Sequence, residues 1–336
     1  MMRYRKPWSS YEEQLDTLIR RGLQVGNRDQ ALDYLKRIGY YRLSGYWYPF
    51  RKRTGKCILL NAHGKGANKR KETTLAEDEF IAGATFKNAV DLYIFDKRLK
   101  LLVTDALERI EISLRVDISH TLGKLDRFAH LNSNLLHAQF SEALEPETGV
   151  SKHHKWVSKH AQLITRSKEE FVKHYREKYG LPLAIWVACE VWDFGTLSTL
   201  FSGMRTQEQD LISSKYGISN GRIFASWLRS LNYVRNVCAH HGRLWNRNIV
   251  EVPKLPPASD LNWVKHFESN NHAKTRSYLL LGMMGHLLQI VSPSSKWSSR
   301  MEELLESFPD LNHLELNVYS MGVPSNNFQW NQFFQK

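Results

Sequence analysis

The stretch Arg235-Asn236-Val237-Cys238-Ala239-His240-His241 holds side chains that could act on a phosphodiester. A guanidinium grips a phosphate through two donors at once. A histidine gives or takes a proton near neutral pH. Metal-free cleavage of RNA needs both: a base for the ribose 2′-hydroxyl or an acid for the leaving oxygen, and a cation beside the crowded phosphorus. On a helix Asn236 and His240, four apart, project from nearly the same side, and Arg235 lies one step around with a stem long enough to reach across. The same residues also read as a polar helix end, where cations are favourable and Gly242 is placed to stop the helix.

A helix is what the flanking pattern requires. Phe224, Trp227, Leu228, Leu231, Val234 and Cys238 recur at three- and four-residue steps. The longest such pattern, Thr85 to Gly123, carries Glu108, Arg109, Glu111 and Arg115, whose spacing predicts a solvated ladder of ion pairs. Shorter helices are expected over Tyr11–Arg21, Asp29–Ile38, Ser158–Lys178, Ala184–Asp193, Thr196–Met204, Tyr278–Ile290 and Ser298–Phe308. Gly39 to Arg51 is an aromatic run punctuated by Gly and Pro, read as turns or a short strand, its Tyr and Trp residues as packing. Lys52 to Glu79 reads as a basic loop with Lys69, Arg70 and Lys71, either a solvated insertion or an arm that contacts phosphate. Phe128 to Lys155 is His-rich without metal-ligand spacing and reads as loop surface.

At 336 residues with 42% hydrophobic content the chain is globular, and its net charge of +13 suits a polyanionic partner, most simply nucleic acid. No apolar run reaches the roughly 20 residues of a membrane span, and Met1 to Lys6 is not followed by an apolar signal core, so a cytoplasmic protein without a membrane partner is expected. Three distant cysteines, Cys57, Cys189 and Cys238, point to a reducing compartment and away from a zinc site; neither a metal nor a cofactor is called for.

Four segments in order resemble the abortive-infection (Abi) family of bacterial phage-defence proteins, of the AbiD/AbiF type: Leu35-Lys36-Arg37-Ile38-Gly39-Tyr40-Tyr41-Arg42-Leu43-Ser44-Gly45-Tyr46; Leu92-Tyr93-Ile94-Phe95-Asp96-Lys97-Arg98-Leu99 running on to Glu108-Arg109-Ile110-Glu111; Leu183 to Ser198; and Arg235 to Arg247. That family is similar to HEPN-domain proteins, helical bundles whose ribonuclease members carry Arg-x(4–6)-His with a polar residue after the Arg. The resemblance implies a mainly α, HEPN-like bundle over 81–250. An N-terminal helical and turn-rich segment with a basic loop (1–80) precedes it and a C-terminal helical extension (251–336) follows.

The resemblance also implies a latent, metal-independent endoribonuclease that leaves 2′,3′-cyclic phosphate ends. Arg235, Asn236 and His240 would be its catalytic set, and His241, Arg243, Arg247, Arg109, Arg115, Arg42, Lys69, Arg70 and Lys71 would contact RNA. HEPN ribonucleases bring two motifs together. Arg115 to His120 also fits Arg-x4-His, with apolar Val116 after the Arg; otherwise a homodimer supplies the second half. The expected partners are RNA, including a small non-coding RNA and a target, and a second copy of the chain. The alternative is a non-catalytic protein that holds a structured non-coding RNA in a ribonucleoprotein.

Overall fold

The computed structural model describes residues 7–60 and 70–334. Among them the chain forms fourteen α-helices and two two-stranded sheets, so the fold is mainly α. It divides into two compact units. One holds the residues up to Arg98 together with Leu304–Val318; the other holds Leu99–Glu303 and the residues from Tyr319 on.

In the first unit α1 (Tyr11–Arg20) opens on a capping box: the Ser10 hydroxyl accepts from the Glu13 N–H, and the Glu13 carboxylate accepts from the Ser10 N–H. The next helix, α2 (Arg28–Ile38), ends at Gly39, whose φ of 89° suits glycine alone. The aromatic run that follows is neither turns nor a strand but a helix, α3 (Tyr40–Trp47), leading into a single 3-10 turn at Tyr48–Phe50. Leu43, Tyr46 and Trp47 supply its buried stripe, and Pro49 sits in the first turn of the 3-10 segment, where no N–H is missed. Tyr46 donates to the buried Asp96 carboxylate at 2.7 Å. Tyr41 and Tyr48 remain exposed.

The basic segment expected to be a loop carries four strands in its described part. β1 (Arg51–Arg53) pairs with β4 (Ala76–Phe80), and β2 (Cys57–Leu60) with β3 (Arg70–Thr73), all antiparallel. Charged, exposed strands lack the apolar alternation that advertises a strand, and cross-strand pairs such as Lys52–Glu79 at 2.7 Å stand in for it.

Helix α4 (Phe86–Gly123) runs unbroken for 38 residues; from Leu99 on it belongs to the second unit. There follow α5 (Ala138–Ser141), α6 (Lys152–Arg166), α7 (Glu170–Tyr179), α8 (Ile185–Ala188), α9 (Phe194–Gly203), α10 (Thr206–Lys215), α11 (Gly221–Ala239), α12 (Asn271–Lys274), α13 (Ser277–Val291) and α14 (Trp297–Glu306). The exposed helix expected over Ser158–Lys178 is two helices, because α6 ends at Ser167 and α7 restarts after Glu169. The helix expected to reach Asp193 stops early. Asp193 caps α9 instead, its carboxylate accepting from the Thr196 N–H at 2.7 Å and the Thr196 hydroxyl at 2.8 Å.

The histidines read as loop surface divide sharply. His154 is exposed, but His130 and His153 are buried, joined by His160 and sandwiched with Trp156 and Trp192. Trp192 donates through its indole N–H to His160 Nδ1 at 2.9 Å, and His153 Nε2 lies 2.9 Å from the His130 carbonyl.

Candidate functional site

Helix α11 is fixed at both ends. At its start the Asn220 side chain accepts from the N–H groups of Arg222 and Ile223. Along its length Phe224, Trp227, Leu228, Leu231 and Val234 are buried, as the spacing predicts. Its end is a Schellman turn: the Gly242 N–H reaches the Val237 carbonyl at 2.8 Å and the His241 N–H reaches that of Cys238 at 3.0 Å. The left-handed residue of this turn is His241, at φ 55°, and not Gly242 as the sequence suggested. Gly242 is needed for another reason, since a Cβ there would lie 3.2 Å from Val237 Cγ1 and 3.3 Å from its carbonyl oxygen.

A side chain in the left-handed region costs about 1–2 kcal/mol that glycine avoids. The His241→Gly protein is therefore expected to exceed His241→Ala in unfolding free energy by about 1 kcal/mol, since both lose the imidazole and only one keeps the strain. Urea titration of the two variants checks it; equal stability would mean the backbone relaxes out of the left-handed region.

Arg235, Asn236 and His240 meet at this end. His240 caps the helix, its N–H returning to the Asn236 carbonyl at 3.0 Å, so its ring starts from the same side as Asn236. Asn236 and His240 are exposed and Arg235 is half-buried, with its Nη1 3.4 Å from Asn236 Oδ1. Among the described residues no hydrogen bond or ion pair engages the His240 ring. Across from Arg235 stands Glu111 of α4. Burial pushes the Glu111 carboxyl up from the usual carboxylate range, against the opposing pull of Arg115 and Arg235. Arg235 thus lies within the field of a carboxylate whose ion pair is with a second arginine, Arg115, at 3.1 Å.

The other expected contacts scatter. Arg115 is not part of a solvated ladder: it bonds Glu111 at 3.1 Å, Glu190 at 3.3 Å and the Trp192 carbonyl at 3.1 Å, and its side chain is 15% exposed. The segment 190–192 covers that face of α4, which no i,i+4 pattern could reveal. Arg109 leaves α4 on nearly the opposite side from Glu111, bonding Asp105 and Ser295. Arg247 folds back on α11, its Nε 2.6 Å from the Tyr233 hydroxyl and its guanidinium 5.5 Å from that ring. Arg243 and His241 border the helix end, half-buried and exposed. Arg42 is exposed on α3 in the first unit. Arg70 and Lys71 open β3, and Lys69 lies outside the described residues.

Sequence reasoning passed over Asp193 and Lys159, which pair at 2.8 Å beside this end of α11. Burial would raise the Asp193 carboxyl, but its bonds to Lys159 and Thr196 win and lower it. The signal was present: Asp193 three residues ahead of Thr196 is a helix cap. Among the described residues no group of three or more His, Cys, Asp or Glu could hold a metal, and no helix is long and apolar enough to cross a membrane.

A family model described as Abi-like protein matches residues 33–246, more than half of the chain, a span that includes Arg235, Asn236 and His240. No curated protein and no solved structure matches.

Proposed function

We propose, on the premise that this chain belongs to the Abi-like family of abortive-infection proteins and so to phage defence, that it acts there as a metal-independent endoribonuclease. One observation carries the reading: an arginine, an amide and a histidine gather at one solvent-facing helix end, with the arginine backed by Glu111.

In this reading the Arg235 guanidinium binds the scissile phosphate and stabilises the extra negative charge of the transition state. The ribose 2′-oxygen attacks phosphorus, the bond from phosphorus to the 5′-oxygen breaks, and the electron pair leaves with that oxygen. One proton must depart from the 2′-hydroxyl and one must reach the 5′-oxygen. His240 handles one of these transfers, and Asn236 orients the phosphate or the ring by hydrogen bonding. A second copy of the chain, bringing its own Arg235 and His240, supplies the other transfer, which is why a homodimer belongs to the proposal. Arg115, spoken for by two carboxylates and a carbonyl, makes a poor second half-site within the chain. His241, held in the turn, borders the site, and Arg243 and Arg247 add positive field. Activity is latent until infection or a bound RNA releases it.

The test is to incubate the purified protein with total RNA in EDTA and to map the product ends. Cyclic-phosphate ends are expected. Uncut RNA, with a discrete small RNA copurifying, would replace the enzyme by a ribonucleoprotein scaffold.

A further inference from the structure

Away from the helix end, a cleft of about 510 Å³ lies in the second unit. Four cations line it: Lys152, Arg222, Arg229 and Lys254. All four residues are exposed, and among the described residues no ion pair engages their side chains. No Asp or Glu lines the cleft among those residues. The Glu145 carboxylate, whose titration registers Lys152, is ion-paired to Lys155. Hydroxyls of Ser198, Thr199, Ser202 and Thr206 complete the wall.

Two of these cations stand where helix electrostatics disfavours them. Lys152 is the first residue of α6 and Arg222 the second of α11, and neither helix has an acidic residue in its first turn. A positive charge at the positive end of a helix dipole is locally destabilising. At α11 the Asp210 carboxylate already accepts from the Gly221 N–H at 2.7 Å, so the violation that an anion in the cleft would reconcile is the one at the start of α6. The carbonyls that would repel an anion are already occupied. Buried Gln209 donates to those of Phe201, Ser202 and Met204 at 2.9, 3.2 and 3.0 Å. Gly221 lets α11 begin hard against it, since a Cβ there would fall 2.4 Å from Gln209 Cβ and 2.7 Å from its backbone.

The cleft is also aligned with the proposed catalytic end. Arg222, Ala225, Arg229, Asn232 and Asn236 follow one another at steps of three and four, so they form one stripe along α11. Arg229 precedes Asn236 by seven residues, about 10 Å along the axis. Helix α9 flanks the stripe from the cleft to Asn232. Gly195 at its start approaches Asn232 so closely that a Cβ would lie 3.3 Å from the amide oxygen, while Ser198, Thr199 and Ser202 face the cleft. Asp193 near the Asn232 end is neutralised by Lys159.

We infer that the α9–α11 groove holds the sugar-phosphate backbone of single-stranded RNA, with phosphates over Arg222 and Arg229, and leads the strand to Arg235 and His240. The assignment of the strand's destination rests on the ribonuclease reading; the groove itself does not. Its chemistry is charge and hydroxyl bonding to phosphate, so binding is expected to be tolerant of sequence and steep in salt.

The experiment is fluorescence anisotropy of a labelled single-stranded RNA with the full-length protein in EDTA, over a series of NaCl concentrations. Wild type is compared with Arg222→Gln/Arg229→Gln and with Arg222→Lys/Arg229→Lys, after thermal melts show all three folded. The Gln pair is expected to bind at least tenfold more weakly at low salt, and its log–log salt slope to be shallower by about 1.4, roughly 0.7 for each lost contact. The Lys pair should keep the wild-type slope. Unchanged affinity and slope in the Gln pair would overturn the groove, whatever the cleavage assay shows. Displacement of the RNA from wild type by ATP at micromolar concentration would overturn it too, as the mark of a mononucleotide pocket. A shallower slope in a protein that never cuts RNA would keep the groove and discard the ribonuclease.

Discussion

Arg235→Ala and His240→Ala are each expected to reduce the proposed RNA cleavage by about 10²–10⁴-fold, the range for losing a proton-transfer group or a charge-stabilising donor. The two losses do not add, because the residues act on one transition state; the double variant is expected to be little worse than the poorer single one. Folding separates chemistry from scaffold. His240 is exposed at the helix cap and its ring has no described partner, so its removal leaves the thermal midpoint nearly unchanged. Arg235 is half-buried and opposes Glu111, so its removal is more costly; Arg235→Lys, which keeps the charge and loses the planar fork, preserves the fold while losing most of the rate. His241→Ala retains activity within a few-fold, since the turn aims that residue out of the Asn236–His240 line. Single-turnover rates beside melting curves decide the matter, and a His240→Ala protein that cuts at the wild-type rate would remove His240 from the mechanism.

Acid is the second strong lever, and it acts on the fold. Burial drives His130 down to about 3, helped by His160 and His153, and drives His160 down to about 4. Both folded values lie below the unfolded value of about 6.5. The unfolded chain therefore takes up protons that the folded one refuses, and stability that is complete above pH 6.5 falls as the pH drops from there toward 4. Each histidine withdraws stability at a slope that approaches roughly 1.4 kcal/mol per pH unit only once the unfolded form is fully protonated, so two of them remove about 2 kcal/mol in the first full unit below 6.5. Against a typical 5–15 kcal/mol that is a large share. Few carboxylates titrate between pH 6.5 and 5, which makes this the window to measure; Asp193, whose folded value is lowered, adds its own loss further down.

Neither His130 ring nitrogen has a hydrogen-bond partner, so His130→Leu removes the titration and leaves no orphaned donor behind. Urea midpoints at pH 7 and pH 5 should fall apart in wild type and draw closer together in that variant, with the rest of the difference left to His160, His153 and His286, which burial also lowers. A wild-type midpoint that does not move would mean water reaches the cluster.

What the sequence disclosed and what it hid follow from the range of the interactions. Helix α11 and the long run of α4 were legible because their apolar spacing is local. Helix α3 was misread as turns or a short strand, because Gly45 and Pro49 break a run whose buried stripe is only Leu43, Tyr46 and Trp47. The charged strands β1 and β4 gave no alternation to read, being held by partners more than twenty residues away. His130 looked like surface because the indoles that bury it come from Trp156 and, much further along the chain, Trp192. At the site, Arg235, Asn236 and His240 stood out by type and spacing. Glu111 as a backing charge, and the cleft cations Lys152 and Lys254, required helices to meet that no local pattern connects.

The Schellman turn has a bearing on how much this chain can change. Immediately past it Leu244 and Trp245 are fully buried, and the Trp245 carbonyl is fastened to the Ser277 hydroxyl at 2.7 Å. His240 is thereby clamped between a helix on one side and an anchored indole four residues beyond His241 on the other, with no slack between. A substitution at Arg243 changes a side chain and leaves the path alone, but a single inserted residue between His241 and Leu244 would have to unseat Trp245 or unwind the last turn of α11. This is a place where evolution can rewrite letters and cannot change the count.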